Sequence, residues 1–350
     1  MIFLLLFLFF PFHSSFFLLN TQRKNILPLN LNKWYVIAQS NEIKPNRPYN
    51  IKILNREIVI WKNNNSFTAL NNYCVHRGAS LSNGIIINNT IHCPYHNIGF
   101  NKKGKITSMP SNFNPTFFPN ICQKKYLIYE KHNWVYLLLN KTNSEDHNLI
   151  MEDEYYNKKN KCQFFSQIIP QNYQFVCENL LDILHISYVH SFGNKKNPLP
   201  VKQFSPKKMN KKSFHQKMKY YYITGSQSLI TYLNEKNLVK VESEFIIPNK
   251  IVSRVKFGKY VKTIVSSALP IDNKTTKLFV KIYRNYWVFN AVILDWLADL
   301  FMEIMFRKTI NEDSKILLSI NTNIPNNLHL SCDQFPLTYR RILKKNKDKL

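Results

Sequence analysis

The stretch YCVHRGASLSNGIIINNTIHCPYHNIGF, residues 73–100, holds two of the chain's six cysteines, each just ahead of a histidine. It reads Cys74-x-His76, then residues 77–92, then Cys93-x-x-His96. Thiolates and imidazoles from paired short loops make a metal-ligand set. Such a set can hold a zinc ion or a [2Fe–2S] cluster in which two histidines replace two cysteines on one iron. Order and spacing favour the cluster. Each loop offers one Cys and one His, so Cys74 and Cys93 can take one iron and His76 and His96 the other. Four of the seven glycines, Gly78, Gly84, Gly99 and Gly104, fall between 74 and 104. A glycine-poor chain keeps glycine where loops need positive φ or close backbone approach.

Around this stretch the pattern is one of short strands. WYVIAQ from Trp34, YNIKIL, EIVIWK, FTALNN and NWVYLLLN (133–140) combine β-branched residues with alternation. ILNREIVIWKNNNSFTAL reads as a hairpin with an Asn-rich turn. Between 34 and 140 no helix of any length is expected. The result is a small all-β domain, bounded at 33–145, with the Cys/His loops at its hairpin tips. The polar run 141–160 suits a linker.

FVCENLLDILHISYVHSFG, residues 175–193, then shows apolar residues at helical spacing, including Val176, Leu180 and Leu184. It carries Glu178, Asn179, Asp182, His185 and His190. Asp182 and His185 are i, i+3 neighbours on one helical face. His185 and His190 are five apart, so the helix must distort or end for both to reach one ion. Further strands follow, then NAVILDWLADLFMEIMFRKTINEDSKILLSI (290–320), which reads as helix. Asp295, Asp299 and Glu303 fall at i, i+4, i+8, an acidic stripe expected to be the wet face of an amphipathic helix rather than part of a membrane span. The tail RRILKKNKDKL, within a basic segment 336–350, is expected to be solvated.

The two motifs together resemble those of the Rieske-type non-haem iron oxygenases. C-x-H-x(16)-C-x-x-H is that family's cluster signature, flanked here by Arg77-Gly78, Leu81-x-x-Gly84 and Pro94-Tyr95. Glu178-x3-Asp182-x2-His185-x4-His190 resembles its mononuclear iron motif. The family usually has Gly-Trp after the second cluster histidine; here Asn97-Ile98 stands there, and Asn is the next-best residue for a left-handed conformation. The pattern gives His92 no role, so it reads as a surface histidine. Ala79 and Tyr95 stand where the cytochrome-complex relatives carry a disulfide.

The resemblance implies an α+β chain: an all-β Rieske [2Fe–2S] domain, then an antiparallel-sheet, helix-grip catalytic domain at 160–335. It implies a [2Fe–2S] cluster on Cys74, His76, Cys93 and His96. It further implies mononuclear Fe(II) on His185, His190 and a downstream carboxylate, Asp313 with Glu312 as the fallback. Asn179 and Asp182 are the catalytic candidates, Asp182 as a bridge between the centres across a subunit interface. Implied partners are O₂, an apolar aromatic or tetrapyrrole substrate, and a ferredoxin or reductase, since no G-x-G-x-x-G occurs in the chain. A homotrimer is the implied assembly, and the branch containing pheophorbide a oxygenase and chlorophyllide a oxygenase looks nearest. The rival class is an electron carrier with a vestigial second site, and a zinc-stabilised binding module is a further one.

The bulk composition fits. In 350 residues, 45% hydrophobic content supports a sizeable core. The net charge of +27 invites a nucleic-acid reading, but no groove-reading motif accompanies it and the Lys excess is spread evenly with Asn, Ile and Tyr. A basic face for an acidic protein partner remains. Cys122, Cys162, Cys177 and Cys332 show no pairing rhythm, which speaks against a disulfide framework. Residues 1–19 are apolar and a basic stretch follows, so 1–30 reads as a removed leader or an anchor, with a plastid or another membrane-bound organelle as the destination.

Overall fold

A computed structural model describes residues 33–63, 66–110, 121–140, 153–193, 195, 198, 202–210, 213–221, 238–289, 291–322, 324 and 328–347. The expected leader 1–30 and residues 141–152 of the expected linker lie outside them. The N-terminal part is built on a six-stranded antiparallel sheet in the order β1-β10-β9-β4-β3-β2. Its strands are β1 (Trp34–Gln39), β2 (Tyr49–Ile53), β3 (Arg56–Asn63), β4 (Ser66–Asn71), β9 (Lys125–Lys131) and β10 (Trp134–Leu138). A four-stranded sheet carries β5 (Ile85–Ile87), β6 (Thr90–His92), β7 (Gly99–Phe100) and β8 (Ile106–Ser108). The only helical element among the described residues here is a 3₁₀ turn at Leu81–Asn83, as expected.

Asparagine does the work that glycine does elsewhere. The two-residue turns Leu54-Asn55, Asn88-Asn89 and His132-Asn133 all have both φ values positive. Positive φ at both positions matches turn twist to strand twist. Asn tolerates this because its short polar side chain can bond locally.

The C-terminal part is an eight-stranded antiparallel sheet: β11 (Lys161–Ile169), β12 (Lys202–Gln203), β13 (Lys207–Asn210), β14 (Ser213–Tyr221), β15 (Leu238–Ile246), β16 (Lys250–Phe257), β17 (Tyr260–Pro270) and β18 (Thr276–Arg284). Its helices are α1 (Asp153–Tyr156), α2 (Tyr173–Leu181), α3 (His185–Val189), α4 (Val292–Ser319) and α5 (Gln334–Lys347). At 1.5 Å per residue α4 is about 42 Å long, and it buries Met302, Phe306, Ile310, Ser314 and Leu317. Helices on one side of an antiparallel sheet match the expected α+β class.

The two parts share one apolar core. Strands β1 and β10 are buried along almost their whole length, against β17 and β18. Lys281, fully buried, lies 4.0 Å from the Trp134 ring. The β2–β3 turn donates from Leu54 N and Asn55 N to Pro270 O and Ile271 O, both at 3.0 Å.

Three expectations are corrected. The acidic stripe on α4 is not its wet face. Asp295 pairs with Lys161 and Asp299 with buried Arg284, because β11 and β18 present cations to it, and only Glu303 pairs within the helix surface, with Arg307 at 2.8 Å. Apolar residues face solvent instead, Ile293 (72% exposed) and Trp296 (60%) among them. Residues 336–347 of the expected basic tail are not free: α5 runs to Lys347 and buries Phe335, Tyr339 and Leu343 at i, i+4, i+8, with Tyr339 Oη donating to Pro248 O at 2.7 Å. The end of the linker is anchored too, since Glu154 accepts from Arg254 Nε at 2.6 Å and Thr263 Oγ1 at 3.1 Å. Among the described residues no helix is long and apolar enough to cross a membrane.

Two candidate metal centres

The first centre is two copies of one loop. In each, the cysteine amide donates to the carbonyl five residues on: Cys74 N to Ala79 O and Cys93 N to Ile98 O, both 2.9 Å. The residue four past each cysteine donates back to it: Gly78 N to Cys74 O at 2.8 Å and Asn97 N to Cys93 O at 2.9 Å. That fourth position is left-handed in both, with φ +73° at Gly78 and +55° at Asn97. Asn97 therefore does carry the conformation expected of it. Cys74 and Cys93 are buried, in a small core with Val59, Trp61, Leu81, Ile91, Ile98 and Phe100. Burial pushes the Cys74 thiol up, against the amides of His76 and Arg77, which favour the thiolate. The His76 and His96 rings lie 4.7 Å apart at the surface above them.

A side chain outside the motif fastens the first loop. Gln123, fully buried, donates from Nε2 to Asn71 O (2.7 Å) and Tyr73 O (2.6 Å) and accepts from Val75 N (3.2 Å). No sequence spacing signals it. Gly84 and Gly104 are close-approach glycines, since a Cβ would meet His92 O at 2.0 Å and Gln123 O at 2.1 Å. His92 is only half exposed, and its Nδ1 is buried without a hydrogen-bond partner among the described residues. It is less a surface histidine than expected.

The second centre depends on a broken helix. Helix α2 ends at Leu181, and Asp182 is extended (φ −75°, ψ 130°) rather than sharing a helical face with His185. Asp182 Oδ1 accepts from Leu184 N at 2.8 Å and so starts the next turn. Helix α3 then opens at His185 and stops before His190, whose backbone is again extended. The five-residue spacing is thus resolved by ending the helix, and the two rings come to 5.2 Å. From α4, Asp313 brings Oδ1 to 3.4 Å from His185 Nε2 and 3.5 Å from His190 Nε2. His185, His190 and Asp313 each offer one ligand atom, all within 4.8 Å of one another.

The two adjacent acids divide the work. Glu312, the fallback ligand, accepts from His190 Nδ1 at 3.0 Å, on the side away from Asp313. A carboxylate on the outer nitrogen fixes the tautomer and turns the ring. Asp182 also lies behind His185, but its Oδ2 is 3.7 Å from Nδ1, longer than a hydrogen bond. Burial opposes protonation of His185, but Asp182 and Asp313 outweigh it and push the imidazole up to about 9. Burial acts against the Asp182 carboxylate, yet His185 and the amides of Leu184 and His185 hold it below the usual carboxylate range. Asp313 Oδ1 is buried without a hydrogen-bond partner among the described residues. An electron-rich cluster with an orphaned buried carboxylate oxygen fits a cation.

The site opens into a cavity of about 980 Å³. Asn179, Asp182, His185, His190 and Asp313 all line it, and most of the remaining wall is aliphatic or aromatic, from β15–β18 and α4. A large apolar cavity with a few convergent polar groups is the usual form of a small-molecule site.

Residues 33–125 match the Rieske [2Fe–2S] domain, and residues 169–348 match the vanillate O-demethylase oxygenase C-terminal domain. The chain belongs to the Rieske-type oxygenases. The iron–sulfur subunit TsaM2 of a putative toluene-4-sulfonate monooxygenase system of Comamonas testosteroni is 28% identical over 165 residues, 45% of this chain and 46% of that one. Chloroplastic pheophorbide a oxygenase of Arabidopsis thaliana is 24% identical over 186 residues, 48% of this chain and 35% of that one. This Rieske-type chain spans about half the length of the curated relatives it matches first. Its fold is that of Pseudomonas putida CBB5 NdmA with caffeine, at TM-score 0.77, 17% identity and 91% of each chain.

A Rieske domain implies a [2Fe–2S] cluster rather than zinc, and catalytic domains of these oxygenases use mononuclear iron. Two thiols under two imidazoles fit the first group. A two-histidine, one-carboxylate face, open to a cavity, fits the second.

Proposed function

We propose that this chain is an oxygenase that uses O₂ and externally supplied electrons to hydroxylate, demethylate or desaturate an apolar substrate. The observation that carries it is the His185–His190–Asp313 donor set facing an apolar cavity of about 980 Å³ in a chain that also has both cluster loops. In this reading Cys74, His76, Cys93 and His96 hold the cluster, and the triad holds an iron that supplies the redox chemistry for O₂. Glu312 fixes the His190 tautomer, and the aliphatic walls exclude water and orient the substrate. Asn179 and Asp182, on the cavity wall beside His185, are the polar groups nearest to act on bound substrate or to relay electrons.

Electrons come from a ferredoxin or reductase, as the match to the Rieske oxygenases supports. A homotrimer, in which the cluster of one subunit serves the triad of the next, would make Asp182 the bridge: His185 Nδ1 is its partner on one side and a neighbour's cluster histidine on the other. Aromatic or tetrapyrrole substrates and a plastid setting draw support from relatives such as the chloroplastic pheophorbide a oxygenase.

The carrier reading leaves no use for an intact donor set opening on a cavity. Iron and sulfide analysis with EPR separates the readings: an oxygenase holds a Rieske signal and one further iron per chain, a carrier the signal alone. Reductant-driven O₂ uptake stimulated by a bound organic compound is the expected activity. Asp182→Asn is expected to load both centres and lose turnover. A wild-type rate of cluster oxidation in that variant, in single-turnover mixing with substrate and O₂, would remove the bridge.

A further inference from the structure

Two lysines line the cavity, Lys262 and the exposed Lys308, and the chemistry at the triad uses neither. Lys262 on β17 lines the cavity with Ile264 and Ser266, its i+2 and i+4 neighbours on the same face of the strand. Its side chain makes no hydrogen bond or ion pair among the described residues. Around it the wall is Val241, Val255, Phe257, Tyr286 and Trp287. The carboxylates of the lining, Asp182 and Asp313, are those facing His185. Burial lowers the Lys262 ammonium, to about 8, although the residue is still partly exposed. An ammonium left unpaired in apolar surroundings costs stability unless an anion joins it.

The strand register gives the spacing between the Lys262 level of the sheet and the Asp313 level of α4. Lys262 pairs with Arg284, as does Lys161, and Lys161 bonds Asp295 on α4. At the other end Ala268 pairs with Leu278, as does Gln167, whose side chain reaches Asn311 and Ser314 beside Asp313. Six residues of strand separate the two levels, about 20 Å, and eighteen residues of helix, about 27 Å. At the Lys262 end the lining residues Leu294 (50% exposed), Leu297 (48%) and Phe301 (49%) open to solvent. An entering molecule therefore meets the apolar wall first with its body and leaves its last group beside Lys262.

We propose that the substrate is an elongated apolar acid, whose carboxylate pairs with Lys262 near the cavity mouth while the far end of its hydrocarbon body reaches the His185–His190–Asp313 face. This rests on the oxygenase reading above and names its substrate class.

Binding of unbranched carboxylic acids from eight to eighteen carbons, and of their methyl esters, to the iron- and cluster-loaded protein tests it. Calorimetry below the micelle-forming concentrations is the measurement. The acids are expected to bind more tightly as they lengthen, and the longer ones at least tenfold more tightly than their esters. Lys262→Met should bring acid and ester within twofold by weakening the acid alone, and Lys262→Arg should keep the preference. Equal affinity of acid and ester at every length, survival of the preference in Lys262→Met, or no binding by any member overturns the proposal. Failure of the oxygenase reading would look different: an intact acid preference, with no ligand-stimulated O₂ uptake in the iron-loaded protein. Uptake stimulated equally by acids and esters would overturn only the lysine.

Discussion

The cluster loops and the triad solve the same problem, holding soft and hard donors in fixed positions, by opposite routes. The cluster centre is local. Each loop closes on itself with two backbone hydrogen bonds, and one repeated conformation places all four donors within 23 residues of sequence, Cys74 to His96. The triad is assembled from afar: a helix must end at Leu181, restart at His185 and stop again at His190, and Asp313 must arrive from a helix more than a hundred residues later. Local closure tolerates change elsewhere in the molecule. Long-range assembly depends on the sheet that positions α4 over α3, so it needs outer-nitrogen partners such as Glu312 to hold the rings.

The most direct way to break this contrast is to remove one donor from each centre. Asp313→Ala is expected to lose one iron per chain and to reduce turnover by more than about 10³, or about 4 kcal/mol of transition-state stabilisation, while the visible absorption of the cluster stays. Cys93→Ser is expected to do the reverse: bleached absorption, no Rieske EPR signal, and unimpaired binding of a divalent metal at the triad. Loss of both centres in either variant would show that the two are folded as one unit and that their independence is wrong.

Glu312 sharpens the contrast at lower amplitude. Removing a carboxylate from the outer nitrogen of a metal-bound histidine typically costs 10–100-fold in metal affinity. Glu312→Ala should fall in that range, and Glu312→Gln, which still accepts from Nδ1, should recover part of it. Equilibrium dialysis against a divalent metal reads this directly. An unchanged affinity in Glu312→Ala would mean that the 3.0 Å contact is incidental.

How much of each centre was legible follows from the same difference. Cys74, His76, Cys93 and His96 stood out because a local device writes itself as short fixed spacings. His185 and His190 were legible as a pair, and their awkward five-residue spacing correctly announced a helix that ends. What was not legible was the earlier break at Asp182, since nothing in DILH departs from helical patterning. Asp313 and Glu312 could not be separated by sequence, being adjacent, and only the direction in which α4 faces the triad distinguishes them. The acidic stripe and the C-terminal helix were misjudged for one reason. Pairing of Asp299 with buried Arg284, and burial of Tyr339 under Pro248, depend on partners that lie 15 and 91 residues away in the chain. Gln123 was invisible for that reason too, and so was Lys262 in a chain with 48 basic residues.

Gln123 tests whether the cluster centre is as local as its loops suggest. It is the long-range support of the first loop, through three hydrogen bonds across about 50 residues of sequence. Gln123→Leu leaves the amide of Val75 and the carbonyls of Asn71 and Tyr73 without it; Tyr73 and Val75 are exposed residues whose groups water can reach, and one group left buried and unpaired costs about 1–3 kcal/mol. A loss of about 2 kcal/mol in unfolding free energy, with faster loss of the cluster to a chelator and no change in metal affinity at the triad, is expected. A cluster as durable as the wild type's would make the loop self-sufficient.

The smallest effect probes the equivalence of the two loops themselves. Gly78 and Asn97 occupy the same left-handed position, and a Cβ on Gly78 meets nothing within 4 Å. Any penalty there is therefore conformational and not steric crowding by neighbours. A residue other than Gly or Asn in this conformation costs roughly 1–2 kcal/mol. Gly78→Asn and Asn97→Gly, which exchange the two solutions, are expected to change stability by less than about 0.5 kcal/mol, because Asn and Gly both visit this region readily. Gly78→Val and Asn97→Val are expected to cost about 1–2 kcal/mol each, and by similar amounts, since both loops close through the same pair of backbone bonds. Denaturant unfolding of the four variants measures this. If valine is costly in one loop and free in the other, the loops are not two copies of one device, and the resemblance between them ends at the positions of their ligands.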